Sequence, residues 1–409
     1  MNRPALALAL APALVVSALL AGPAASADWT QFRGPGASGC VPDATLPTSL
    51  DAAKHIAWNL PLPGRGLSSP VIVGDRVFVT CSSGPKQQRL HVLCFRASDG
   101  ARLWERRFFA TGRTMCHEKT CVAANSPTTD GQRVFALFSS GDLVALDLEG
   151  NLLWFRGLGA DYPNASNSLG MSSSLVAADG SVVAQLENDS QSLALGIDVA
   201  TGVNRWKLDR PKRANWTSPV LFQDPVAGRS AVLLQSSAGV LAVEPASGKE
   251  LWNYSDGAST VPSAATSQGV IYVPSYGITA LKPGGPGQAP TQLWRAGNLR
   301  PGTSSPVIIG DRLYTLNDAG VLTAGDLQEG KRLWQLRLKG PFSSTPVAAG
   351  SFLYAINEKG LLQVVDTTKP EGEQVGELDL QDTILGTPSI SGNALFLRSD
   401  ARLWKITGS

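Results

Sequence analysis

Four polar stretches in the first half of the chain carry side chains equipped for chemistry. Residues 111–121 bring Arg113, Cys116, His117 and Cys121, and residues 161–168 bring Asp161, Asn164 and Asn167. Glu187, Asn188 and Asp189 follow, and then Lys212 and Arg213. Carboxylates, amides, a guanidinium, an ammonium and an imidazole together make the mixed lining of a small-ligand or peptide site. A second reading has these same charges pairing with one another in solvated loops, and the sequence leaves both open. Asp161, Asn164, Asn167, Glu187 and Asp189 are hard oxygen donors of the kind Ca²⁺ takes, although they form no contiguous loop motif. Cys116, His117 and Cys121 are soft donors suited to Zn²⁺ or copper, but they lack paired Cys-x-x-Cys spacing. Their proximity in sequence instead makes Cys116 and Cys121 the candidate disulfide. No catalytic residue is assigned. His55, His91 and His117 lie in different units of the chain, and no Gly-x-Ser-x-Gly elbow or phosphate-cradling loop is present.

The elements that must position these groups repeat. One unit reads Ser-Ser-Pro-Val, then Gly-Asp-x-Val/Leu-Phe/Tyr, then Gly-x-Leu-x-Ala-Leu-Asp, then Gly-x-x-Leu-Trp. It runs clearly from Ser69-Pro70-Val71 to Leu103-Trp104, and again from Ser126-Pro127 to Leu153-Trp154. The closing tryptophans at 58, 104, 154, 206, 252, 294 and 334 stand 40 to 52 residues apart. Each unit holds four short apolar runs split by Gly, Asp, Asn or Ser turns, which predicts a four-stranded meander. Such a sheet has two apolar faces and buries them only by leaning on copies of itself around an axis. The count predicts an all-β, eight-bladed β-propeller of four-stranded antiparallel blades. The eighth unit stops after Leu403-Trp404-Lys405-Ile406 without its last segment. Ile56-Ala57-Trp58-Asn59-Leu60 resembles that segment, so an N-terminal strand is expected to close the ring. The repeating Trp residues are read as wedges between blades, and Gly100, Gly150, Gly202, Gly248 and Gly330 as tight turns. In a four-stranded blade, the loop between strands two and three and the loop to the next blade emerge on one face. The four polar stretches are therefore expected side by side on one sector of that face.

Val144-Ala145-Leu146-Asp147 with Gly150 and Leu153-Trp154, and Leu241-Ala242-Val243 with Gly248 and Leu251-Trp252, resemble the pyrroloquinoline-quinone-type (PQQ-like) propeller repeat. That family includes quinoprotein alcohol dehydrogenases and exported BamB-like proteins. Trp29-Thr30-Gln31-Phe32-Arg33-Gly34-Pro35 resembles the start of the latter. The resemblance implies a non-catalytic binder of a protein or peptide in the cell envelope, or of a small ligand, with no cofactor. Its alternative is an oxidoreductase using PQQ with Ca²⁺ in the sector between blades 2 and 4. The quinoprotein disulfide between adjacent cysteines has no counterpart here, because no two cysteines are neighbours.

Composition bounds the rest. The chain of 409 residues is 43% apolar and 17% charged, with 42 Gly, 27 Pro and ten Trp, enough to bury a large core built from short strands. A net charge of +2 gives no electrostatic reason for a nucleic acid partner. Arg3, the uncharged run from Pro4 to Leu20 and the small residues Ala25-Ser26-Ala27 fit a secretory signal peptide over residues 1–27. One propeller domain is then expected over 28–409, periplasmic or extracellular, with no membrane-spanning segment in the mature chain. The first cysteine is Cys40, so a lipid anchor immediately after the cleavage point is not expected.

Overall fold

The structure, a computed structural model, describes residues 28–165, 169–226, 228–285 and 287–408; the expected leader and Asn167 lie outside them. Eight four-stranded antiparallel sheets follow one another around a ring. Blades 1 to 8 begin at Val71, Thr128, Val176, Val220, Ala265, Val307, Val347 and Ser389. Within a blade the first strand is short, usually three residues as in Val71–Val73, and the middle strands are longer, as in Arg76–Ser83 and Arg89–Arg96. Middle strands are buried on both faces, because each sheet is sandwiched between two others; Ser181–Leu186 is buried throughout. Outer strands alternate. In Asn204–Asp209 only Trp206 is fully buried.

Closure follows the sequence pattern. Ile56–Pro61 pairs antiparallel with Arg402–Thr407, Trp58 lying opposite Lys405, and so supplies the fourth strand of blade 8. Each repeat Trp then meets the next blade. The indole N–H groups of Trp104, Trp154 and Trp206 donate to the carbonyls of Leu148, Val199 and Pro245 at 2.9, 3.0 and 2.8 Å. Trp58 does the same across the seam, to Ala97 at 3.2 Å. The ring of Trp104 lies so close to Gly150 that a Cβ there would sit 2.6 Å from it, and Gly150 also has φ +82°. Both facts require glycine.

The segment before the closing strand was not foreseen as an element. It crosses the ring at one end of the central channel. Trp29 bridges to Ile72 in blade 1, and Thr30 accepts from Thr129 in blade 2 at 3.0 Å. Arg33 donates to the carbonyls of Ala264 in blade 5 and Pro306 before blade 6, at 2.5 and 3.5 Å. Cys40–Val41 adds a fifth, parallel strand to the inner edge of blade 7. Trp29 is fully buried, and a Cβ on Gly34 would lie 2.7 Å from its ring, so the segment is packed tightly against itself as well. No described helix is long and apolar enough to cross a membrane.

Candidate functional site

The Ser or Thr that precedes the inner strand of blades 2 to 8 places one hydroxyl per blade on the channel wall. Backbone N–H groups of Ser69, Ser126, Ser174, Ser218, Ser263, Ser305 and Thr345 each donate to the hydroxyl of the next blade, at 2.9–3.0 Å. The acceptors are Ser126, Ser174, Ser218, Ser263, Ser305, Thr345 and Thr387. A hydroxyl has one proton and two lone pairs, so each keeps its O–H free after accepting. Proline next to most of these residues fixes the backbone where the chain turns from loop to inner strand.

Above this ring lies a cavity of about 400 Å³. That volume falls within the ~300–1,000 Å³ of small-ligand sites. Its floor is Phe32, from the segment that crosses the channel, and its lower wall is the seven hydroxyls. Its upper wall is mostly apolar, with Leu67, Leu169, Trp216, Val261 and Leu385 from inter-blade loops around the ring and the hydroxyls of Ser172, Thr303 and Ser343 between them. Leu169 and Val261 reach the surface with 45% and 40% exposure, so the apolar lining continues out through the mouth. The indole of Trp216 is held by a hydrogen bond to the carbonyl of Gly170 at 2.8 Å. His117 and Lys119 stand at the mouth, where the Lys119 ammonium reaches Glu358 in blade 7 at 2.9 Å.

Base and rim differ in charge: at the rim Glu358 accepts from the lining Ser343 hydroxyl at 2.6 Å as well as from Lys119. Among the described residues, no carboxylate and no carboxamide side chain lines the cavity. Arg33 is 1% exposed beneath Phe32, its guanidinium 5.5 Å from that ring. Burial lowers its pKa to about 9, which leaves it charged at neutral pH. Arg398 is equally buried behind Leu67 and donates to the Thr80 carbonyl at 2.6 Å and to the Ser68 hydroxyl at 3.3 Å. Among the described residues neither guanidinium has a carboxylate partner.

Contacts of Asn188 with Asn164 and of Asp189 with Ala214 join three of the loops singled out by sequence, but their described residues divide between separate environments. Among the described ones, only His117 lines the cavity. Arg213 lines a shallower depression beside the mouth, together with Asp318, Val261 and Thr303. Glu187 is 1% exposed and occupied: it accepts from Arg210 at 2.8 Å, Gln185 at 3.0 Å and Asn215 at 2.8 Å. Asn188 is buried and donates to the Asn164 carbonyl at 3.1 Å. Asp161 is ion-paired with Arg156. Asp189 accepts from the backbone N–H of Ala214 at 3.2 Å, while Arg113 and Lys212 are exposed. Cys116 and Cys121 are free thiols, like the other cysteines. Cys121 is fully enclosed, and burial pushes its thiol up to about 12. Among the described residues, no group of three or more His, Cys, Asp or Glu side chains is placed to hold a metal ion.

Sequence reasoning missed the hydroxyl ring and the floor. The first was in plain sight as the Ser or Thr before the inner strands, and the second as the aromatic and arginine of Trp29-Thr30-Gln31-Phe32-Arg33.

Comparison with known proteins agrees with this architecture. A family profile described as outer membrane protein assembly factor BamB matches residues 43–185, 164–271 and 288–375. The chain belongs to the BamB family. No curated protein matches it. Among solved structures, BamB from Moraxella catarrhalis is 14% identical with a TM-score of 0.62, covering 86% of this chain and 97% of its own. Quinohemoprotein alcohol dehydrogenase from Comamonas testosteroni is also 14% identical, with a TM-score of 0.69, covering 94% of this chain and 81% of its own. The computationally designed Ika8 protein superposes at 0.60, with 14% identity and coverage of 86% and 99%. A designed ring beside an enzyme and a BamB shows that these likenesses speak for the fold alone.

Ca²⁺, which the resemblance to quinoprotein dehydrogenases pairs with PQQ, finds no carboxylate ligand in this cavity among the described residues. Ca²⁺ takes about six to eight oxygen ligands, with carboxylates prominent among them. The described lining offers hydroxyls but no anionic oxygen.

Proposed function

We propose that this protein is an exported, non-catalytic binding propeller of the cell envelope that takes a protein or peptide partner on its loop face. The cavity carries the reading. It is blind, apolar at the mouth and rich in hydrogen-bond donors at its base, and it lies at the centre of the face where the inter-blade loops converge. Loops on a rigid ring are where such folds place their binding groups. Membership of the BamB family supports an envelope setting. The oxidoreductase alternative needs carboxylate ligands for Ca²⁺ that the described lining does not offer.

A photo-crosslinking amino acid at Val261, on the mouth, is expected to capture an envelope protein or peptide. The same group at Gln132, in an exposed turn on the opposite face, is expected to capture nothing comparable. Adducts from Gln132 alone, or equally from both positions, would contradict the proposal.

A further inference from the structure

The cavity has a chemical preference that can be read from its walls. Its base presents seven hydroxyls whose lone pairs serve the neighbouring blade and whose protons have no acceptor among the described residues. That surface seeks a ligand made of acceptors. Two buried guanidinium groups without carboxylate partners stand behind its walls, Arg33 against Phe32 and Arg398 against Ser68, and among the described residues no acid lines it. An anion is favoured there and an ammonium disfavoured, because a low dielectric strengthens both effects. Above the ring the walls turn mostly apolar, so the ligand carries a hydrophobic group next to its anionic end. Phe32 closes the floor, and a polypeptide therefore cannot thread through; it can only insert an end.

We infer that the cavity captures the C-terminus of a peptide whose last residues are apolar, the carboxylate meeting the Ser/Thr ring near Ser263 and Ser305. The terminal side chain lies against Trp216, Leu67 and Leu385, and the preceding residue leaves past Leu169 and Val261. Ser263 and Ser305 are singled out because Arg33 donates to the carbonyls of the residues that follow them, Ala264 and Pro306. The inference rests on the binding reading above and names its ligand. Capture of a carboxylate by convergent donors is an established mode of peptide recognition, and charge-assisted hydrogen bonds make it selective.

The test is calorimetric titration of the full chain with acetyl-Ala-Leu-Phe bearing a free carboxylate, with the same peptide as its C-terminal amide, and with 3-phenylpropionate. The free acid is expected to bind at least about tenfold tighter than the amide, the scale of one or two charge-assisted hydrogen bonds. The double variant Ser263→Ala, Ser305→Ala should erase that difference. Ser263→Thr, Ser305→Thr should keep it, since blades 7 and 8 already use Thr345 and Thr387 at this position. Val261→Trp, at the exposed mouth, should weaken the acid without unfolding the ring. Equal binding of acid and amide, no binding of the acid, or indifference to Val261→Trp would each overturn the inference. Binding of 3-phenylpropionate as tight as the peptide would overturn the peptide as its source. If the acid fails while Val261 still crosslinks a partner, the C-terminus falls and the binding reading stands.

Discussion

The two ends of the central channel are built differently. One is closed by the chain itself: residues 29–41 touch blades 1, 2, 5, 6 and 7 through backbone pairing, a buried Trp and a buried Arg. The other is spanned at its edge by the Lys119–Glu358 ion pair and framed by half-exposed Leu169 and Val261. The closed end contributes stability and sets the depth of the cavity, whereas the open end is free to bind. Covalent continuity explains the asymmetry. The segment crosses under the ring on its way to the outer edge of blade 8, burying Trp29 and half-burying Phe32.

The comparison breaks if the two ends respond alike to truncation. Trp29→Ala should destabilise by about 3–5 kcal/mol, the scale for deleting a buried aromatic, whereas Val261→Ala should stay within about 0.5 kcal/mol as an exposed substitution. Chemical denaturation of both variants measures the difference.

A second contrast lies within the loops of blades 2 to 4. Glu187→Ala strands the Arg210 guanidinium in a site where both partners are at most 5% exposed. Removing one partner of such a buried pair costs about 3–5 kcal/mol. Asp161→Ala breaks a more exposed pair and should cost no more than about 1 kcal/mol. Equal effects would mean that Glu187 is not the structural anchor its hydrogen bonds make it.

A smaller effect separates the outer edge from the channel. On blade 1, Glu105 is hydrogen-bonded by Arg107 at 2.7 Å and by His91 at 2.9 Å. The Arg107 hydrogen bond foremost, with that from His91, holds its carboxyl down to about 2. Because the folded value is depressed, this contribution is present above about pH 4.5 and is lost as pH falls towards 2. The full depression corresponds to roughly 3 kcal/mol, which water around the exposed Arg107 guanidinium cuts to roughly 2. Urea midpoints should therefore fall across that window, and Glu105→Gln should flatten the fall. The buried Arg33 has no carboxylate partner and contributes nothing to it.

Much of the ring was legible in the sequence because its causes are local and repeated. The Leu-Trp segments specify outer strands with one inward ring, and the orphan Ile56–Leu60 segment could pair only with the incomplete last unit. The candidate site was less legible, for a physical reason. Glu187 and Asn188 look like ligands in a polar loop, but their partners Arg210, Asn215 and the Asn164 carbonyl are brought to them by packing between blades. The hydroxyl ring was hidden in the opposite way. Ser126, Ser174, Ser218 and Ser305 recur with the scaffold, and a recurring residue reads as structure until the ring closes and brings their hydroxyls to one cavity.

The most direct measurement uses the ten tryptophans as reporters. Trp216 alone among them lines the cavity, while Trp58, Trp104, Trp154, Trp206 and Trp294 are bonded into the seams between blades. In a ¹⁵N indole spectrum titrated with the acid-terminated peptide, the Trp216 signal should move and the seam signals should hold still. Movement confined to the seam tryptophans, with Trp216 unchanged, would place binding on the outer edges of the blades and contradict the account.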